Sequence, residues 1–597
     1  MNESLTARNF VAGIEDFEEL ISEKVIYIDK TSYLEDLIKR SHVALILRPR
    51  RFGKTLTMSM LSCFLEMNYQ NPEDRSRPES LFKDLDVYKN KAFCNEYMGR
   101  YPVISISFKE AEGSTLEDAV RGIITVFAEL SDKFAFLSGR EKLNTRFLER
   151  MSDWDESEKS LIMRDGNIRP SVKNLVVFFI KKLSALLKKA FNKKAVILID
   201  EYDVPLQKAR KRGYYDKMLE IIRGIMSSAL KTNSNMELGF VTGCLRIAHQ
   251  SIFTGVNNFD EYGVNDKIYS GFIGLTKDET VSLLKMHGME NRLPDVIEWY
   301  DGYNFGGTGM LCPWSVLKFM SRALHPENDP TAFQPENYWV NSSGNDIIEI
   351  CMKHPGGKDL DRLQNLMEGK TEEIALREFT FYPDITSDTD FDTIATLMLN
   401  TGYLAAAKDA MPSDKYRSVV RIPNKEILER FSWKAEMIFS AGNPEWLEKA
   451  IALRNALLSE DADQAHSIMT AMLRRFVSLH DMENKAFYQN FMTKALGITS
   501  GSPHDLAFGS TGDDGGFDLV IRDNDSRSAV IIECRISKTA KASVRKKECL
   551  EALMHTEVNS HYRELKEDYS SVRKFGIVFF KKTCAVMEKS QPDTASD

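Results

Sequence analysis

Three successive residues, Gly53-Lys54-Thr55, stand between an apolar run, Val43-Ala44-Leu45-Ile46-Leu47, and a helix-compatible stretch, TLTMSMLSCFLEM. In that context, backbone N–H groups and a helix N-terminus face an anion. Lys54 would reach the β- and γ-phosphates of a nucleotide, and the Thr55 hydroxyl would bind Mg²⁺. The full pattern G-x-x-x-x-G-K-[ST] is not met, because Arg48 stands where the first glycine belongs. A basic turn opening an ordinary helix is the competing reading of these residues alone. A second apolar run, Val196-Ile197-Leu198-Ile199, ends in Asp200-Glu201. A buried parallel strand that delivers carboxylates at its C-terminal edge would set Asp200 on the metal through water and Glu201 beside an attacking water. A third run, LGFVTG, carries Thr242 at its end, where a hydroxyl could contact the γ-phosphate, and Arg246 follows as a charge-sensing arginine. An ordinary strand-end hydroxyl and a surface ion pair are equal alternatives for these two. The expected cofactors are ATP and Mg²⁺.

The elements that must position these groups are legible in the pattern. KVIYIDK, VALILRP, YPVISISF, KAVILIDEY and LGFVTG read as strands separated by helical stretches, which indicates an α/β domain with a largely parallel sheet. The long separation of the two motifs implies an insertion, and the polar stretch 150–172 supplies one. From about residue 276 the pattern turns helical, with Thr276 placed as a cap before acidic residues. An aromatic, glycine-rich stretch, WYDGYNFGGTGMLCPW, lies inside that region; core packing of Tyr300, Tyr303, Phe305 and Trp314 is favoured over a stacking surface.

A chain of 597 residues exceeds one core, so two to four domains are expected. The net charge of −8 provides no global basic field, so any nucleic-acid contact needs a local patch. Eight dispersed cysteines without a C-x-x-C pair argue against structural zinc and for reduced thiols in a cytoplasmic protein. Neither a signal peptide nor a membrane-spanning run is expected.

Taken in order, these residues form a series: Tyr27-Ile28-Asp29-Lys30-Thr31, Arg48-Pro49-Arg50-Arg51-Phe52-Gly53-Lys54-Thr55, Asp200-Glu201-Tyr202-Asp203-Val204-Pro205, Thr242-Gly243, Leu245-Arg246-Ile247-Ala248, and Trp299-Tyr300-Asp301-Gly302-Tyr303. The series, over roughly residues 5–315, resembles the bacterial AAA-ATPase-like proteins that carry a C-terminal PD-(D/E)XK nuclease-like domain. Asn400-Thr401-Gly402-Tyr403-Leu404 and Ile422-Pro423-Asn424-Lys425-Glu426 are similar to that family's connecting region. In it R-P-R-R-F-G-K-T is the usual phosphate loop, so the resemblance adds Arg51 to the nucleotide-binding set.

The resemblance also implies a restriction-endonuclease-like α/β fold at the C-terminus. There Asp518 matches the first acid, Glu533 the second, and both would hold a metal ion. The third catalytic position is Arg535 where the family has lysine. Arginine stays charged and is a poor proton acceptor, although it can clamp a phosphate. Weak or absent cleavage is therefore expected. The basic run Lys538–Lys547 reads foremost as a solvated helix face. The expected organisation is a P-loop parallel-sheet ATPase domain at 1–275, a helical lid and connector at 276–480, a nuclease-like domain at 481–587 and a disordered tail at 588–597. The function expected is ATP binding and hydrolysis controlling a C-terminal nuclease-like module on or near DNA. The alternatives are a nucleotide-gated interaction protein with an inactive module, and a nuclease with a structural nucleotide site. DNA contact through the C-terminal domain and homo-oligomerisation stay open as partner expectations.

Overall fold

The computed structural model describes residues 13–111, 113–138, 143–152, 162–164, 167–245, 259–325, 328–339, 362–363, 365–377, 389–407, 416–431, 444–459, 461–476, 487–488, 491–492, 495–496, 504–508, 517–523, 528–556, 565–566, 569 and 571–588. The chain divides into two compact units, Met1–Phe431 and Ser432–Asp597.

The first unit is built on five parallel strands: β1 (Val43–Leu47), β2 (Val103–Ser107), β3 (Ala195–Asp200), β4 (Met236–Gly243) and β5 (Phe259–Tyr262). Their order across the sheet is β2-β3-β4-β1-β5. Every residue of β1 and β3 is buried, as continuous apolar runs demand when helices cover both faces. Helices of this unit include α1 (Lys54–Leu65), α2 (Leu116–Lys133), α3 (Pro170–Phe191) and α4 (Tyr215–Met226). Thr115 and Asp118 close a capping box at the start of α2. A proline opens α3, and Asn192 in the left-handed region ends it.

Two departures concern local structure. Residues 24–30, read as a strand from their apolar character, form none. Their polar side chains tie the segment down instead: Lys30 Nζ donates to Glu279 at 2.6 Å and to the Gly271 carbonyl at 2.8 Å, while Asp29 accepts from the amides of Thr31 and Asp86. The stretch after residue 275 is not purely helical. Strands β6 (Leu275–Thr276), β7 (Tyr303–Phe305) and β8 (Thr308–Leu311) form a small antiparallel sheet among α5 (Lys277–Met286), α6 (Leu293–Tyr300) and α7 (Pro313–Ala323). Gly306 and Gly307 both take positive φ at the hairpin turn, which a helical reading of a glycine-rich stretch misses. Thr276 and Glu279 do form the expected capping box. A further three-stranded sheet, β9 (Glu372–Ala375), β10 (Ala405–Ala406) and β11 (Arg417–Arg421), accompanies α8 (Phe391–Thr401).

The second unit contains a five-stranded sheet in chain order: β12 (His504–Phe508), β13 (Phe517–Asp523), β14 (Ser528–Ile536), β15 (Ser571–Phe580) and β16 (Thr583–Glu588). Its ladders are antiparallel except β14–β15, which run parallel. The chain between those two strands carries α11 (Ala542–Thr556), the crossover a parallel pair requires. Helices α9 (Pro444–Leu458) and α10 (Ala462–Phe476) supply Trp446, Leu453, Met469 and Met472 to a core shared with Ile532 and Phe579.

Candidate functional site

At the C-terminal end of β1 the chain turns through residues 48–53 and enters α1. Gly53 precedes the helix with φ +101°, a left-handed conformation that favours glycine. A Cβ there would meet open space, so backbone conformation rather than packing sets the requirement. Arg51 holds φ +66° without that freedom. Lys54 is 5% exposed. Its Nζ donates to the Pro49 carbonyl at 3.2 Å and lies 3.3 Å from Cys244 Sγ. Burial alone would lower the Lys54 pKa. Cys244 and the carboxylates of Glu201, Asp200 and Asp203 outweigh it and hold the ammonium above its ordinary value.

Opposite this lysine, Asp200 ends β3 and is 3% exposed. Its Oδ2 accepts from the Thr55 hydroxyl at 2.7 Å, across 145 residues of sequence. Its Oδ1 accepts from the Thr242 hydroxyl and from the Glu201 amide, the latter at 3.0 Å. Strand β4 lies between β1 and β3, which puts Thr242 between the loop strand and the acidic strand. Glu201 itself stands at φ +51°, a conformation that costs a non-glycine residue about 1–2 kcal/mol. Its carboxyl is pushed above the usual range by burial; Lys54 opposes that shift while Asp200 and Asp203 add to it.

Asp203, 1% exposed, went unmarked as a site residue in the sequence, although its place in an acid-rich turn was visible. Its Oδ2 accepts the amides of Cys244 and Leu245 at 3.2 and 3.0 Å and so shapes the turn after β4. Gly243 is needed there: a Cβ would come within 2.6 Å of the Tyr202 ring and 2.8 Å of Asp203 Oδ1. Cys244 had no sequence signal at all. Arg246 lies outside the described residues.

The loop arginines are spent on structure. Arg48, fully buried, donates to the carbonyls of Leu47, Tyr262, Gly263 and Tyr269. Where a glycine would leave the loop supple, this residue staples it to the chain after β5. Arg50 donates to Gln207 at 2.7 Å. Arg51 sits over the Trp314 ring at 4.6 Å and donates to the Tyr338 carbonyl. Phe52 packs against Tyr303 and Phe305 with ring centroids 5.0 and 5.1 Å away, so the aromatic stretch is core around the loop. A cleft of about 520 Å³ opens beside Thr55, with Ser105, Ser107, Lys109 and Glu129 in its wall.

In the second unit, register pairs Asp518 directly opposite Glu533 in the β13–β14 ladder. Glu533 is 4% exposed and accepts from Arg535 Nη2 at 3.3 Å; Arg535 also lies 3.8 Å from Glu551. The side chain of Asp518 falls outside the described residues. Tyr488 is core, stacked on Phe579 with centroids 4.6 Å apart. Within the basic run, Arg545 donates to Thr583 at 2.8 Å and Lys547 lies 3.9 Å from Glu551. Among the described residues no group of three or more His, Cys, Asp or Glu side chains is arranged to hold a metal ion, and no helix is long and apolar enough to cross a membrane.

Residues 11–253 match the model of a family described as a predicted AAA-ATPase. An uncharacterized protein in the vnfD 5′ region of Azotobacter chroococcum mcd 1 is 21% identical over 477 residues, 78% of this chain and 77% of its own. Among solved structures, a Walker-type ATPase of Pyrococcus abyssi aligns with a TM-score of 0.34 and 13% identity, over 72% of this chain and 99% of its own. The family match supports nucleotide binding by the first unit.

Proposed function

We propose that the first unit binds ATP with Mg²⁺ between Gly53-Lys54-Thr55 and Asp200-Glu201 and hydrolyses it. The observation that carries this reading is the 2.7 Å hydrogen bond from the Thr55 hydroxyl to Asp200. It joins the start of a helix that follows a left-handed glycine to the acid at the end of a buried parallel strand. Magnesium keeps several waters and uses one or two protein ligands, so a hydroxyl and a carboxylate at this spacing suit it without a larger acidic cluster. Bound there, the ion would neutralise charge on the phosphates. Lys54 would leave the Pro49 carbonyl for the phosphate oxygens, exchanging a neutral acceptor for a charged one. Thr242 would hold Asp200 in place. Glu201, with a carboxyl raised toward neutrality, would accept a proton from the attacking water.

The test is Mg²⁺-dependent ATP affinity in wild type and Lys54→Ala. The variant is expected to bind about tenfold to a hundredfold more weakly, the value of a charge-assisted hydrogen bond. Equal affinities would sink the phosphate-loop assignment.

For the second unit, the Arg535–Glu533 pair favours an interaction module over a cutting one. A nuclease site would need Glu533 on a divalent ion, but a guanidinium already balances that carboxylate. Among the described residues, Glu533 therefore offers a cation a carboxylate whose charge Arg535 already offsets. Nucleotide state would then control what this nuclease-like module binds, DNA included.

A further inference from the structure

Strand β2 is an edge of the parallel sheet, and its C-terminal end lies beside the acids of β3. Ser107 pairs with Asp200 in parallel register, and the Phe108 amide donates to the Asp200 carbonyl at 3.0 Å. Just past the strand the chain turns, with the Lys109 amide donating to the Ser107 hydroxyl at 3.3 Å. The Lys109 side chain forms part of the wall of the cleft that opens beside Thr55. Its Nζ donates to both carboxylate oxygens of Glu15, at 2.8 and 3.0 Å, and the two side chains are 53% and 54% exposed.

Glu15 is held from the loop side. Its neighbour Asp16 caps the short helix Phe17–Ser22 and accepts the Ser59 hydroxyl at 3.2 Å, while Ser59 accepts the Phe17 amide at 2.9 Å. Ser59 belongs to α1, the helix that the phosphate loop opens. The carboxylate is thus anchored to the loop helix, and the lysine that meets it is anchored to the sheet edge.

We infer that Lys109 is a second phosphate-contacting cation, which leaves Glu15 for the terminal phosphate of a bound nucleoside triphosphate and so distinguishes a triphosphate from a diphosphate. The assignment rests on the ATP reading above. It follows from the strand order: the phosphate loop leaves β1, the two acids end β3, and β2 lies beyond them. A nucleotide held at Lys54 and Thr55 and extending toward Asp200 and Glu201 would point its last phosphate at β2. A diphosphate would end short of it. Charge agrees with position. The hydrogen bond to Glu15 is the main influence holding the Lys109 ammonium above its ordinary value; burial opposes it, and Glu201 and Asp200 add to it. The same two acids also act on Lys54. An ion pair as exposed as Lys109–Glu15 contributes little, and a phosphate carries more charge than the carboxylate it would replace. Lys133, also in the cleft wall, is not equivalent: it donates at 2.5 Å to Glu66, whose side chain is only 9% exposed.

The experiment measures affinity by calorimetry for ADP and for a non-hydrolysable ATP analogue, each with Mg²⁺, on the full chain. The proteins are wild type, Lys109→Ala, Lys109→Arg and Glu15→Gln, with melting temperatures to show that each is folded. Wild type is expected to prefer the triphosphate. Lys109→Ala should lose about tenfold in triphosphate affinity, the low end for a hydrogen bond between charged groups, and keep its ADP affinity. Lys109→Arg should retain most of the preference, because the charge remains. Glu15→Gln should strengthen triphosphate binding alone, since it frees the lysine and removes a negative neighbour. Equal losses for both nucleotides in Lys109→Ala, or no loss for either, would overturn the assignment and leave the ATP reading standing. An unchanged triphosphate affinity in Glu15→Gln would overturn the exchange of partners. Wild type that bound neither nucleotide would overturn the ATP reading, and the assignment would fall with it.

Discussion

Glu201 shows how several constraints meet on one side chain. Its backbone is in the left-handed region, its amide is held by Asp200, and its carboxyl is displaced upward by burial. A strained residue beside a phosphate loop points to function, because strain persists only where surrounding contacts enforce it. Glu201→Gln should therefore bind Mg-ATP as wild type does and lose turnover by about 10²–10⁴, the usual contribution of a general base. The pH profile gives an independent check. A base must be deprotonated, so wild-type turnover should rise with pH along the limb in which this carboxyl ionises, and any residual activity of Glu201→Gln should lack that limb. An unchanged limb in the variant would remove Glu201 from the role.

Among the elements, the turn between β1 and α1 is notable for how little freedom it keeps. Arg48 donates to four carbonyls, one from β1, one from the last residue of β5 and two from the chain that follows it. Gly402, at φ +91°, allows Pro49 to approach where a Cβ would stand 2.9 Å from the proline. Such a loop is preorganised, which reduces the ordering cost of binding an anion. Arg48→Met would retain apolar volume but leave four buried carbonyls short of a donor. It should destabilise the first unit by about 3 kcal/mol or more, seen as a lowered melting temperature. An unchanged melting temperature would mean that water replaces the guanidinium without loss.

For the whole molecule, the informative comparison is between a cation among carboxylates in each unit. In the first unit a lysine faces three carboxylates with a left-handed glycine and open space nearby. In the second, Arg535 lies against two acids, Glu533 at 3.3 Å and Glu551 at 3.8 Å. The expected outcome of incubating the full chain with plasmid or oligonucleotide DNA and Mg²⁺ or Mn²⁺ is no cleavage, with and without ATP. Robust cleavage that disappears in Asp518→Ala would contradict the interaction-module reading. Cleavage that appears only in Arg535→Lys would trace the silence to that one side chain.

Much of this was legible in the amino-acid order, and the reason is physical. A parallel strand buried on both faces must be a continuous apolar run, so β1 and β3 could be read directly, and the edge strand β2 by its apolar-serine alternation, as could the loop residues between β1 and α1. Strand β5, Phe259-Asp260-Glu261-Tyr262, carries two acids and offered no such run. The hairpin at Gly306-Gly307 was hidden for a related reason: a short strand in a glycine-rich stretch has too few residues to display a period. The identities of Lys54, Thr55, Asp200, Glu201 and Thr242 followed from local chemistry. What they touch did not, because the partners lie far apart in sequence. Only the folded chain brings Thr55 to Asp200, Cys244 to Lys54, Arg48 to Tyr269 and Tyr338 to Glu426. The contacts of Arg51, with Trp314 and Tyr338, lie more than 260 residues away in sequence. Sequence thus determined which groups are available for chemistry. Packing decided which of them face the cleft and which hold the loop that faces it.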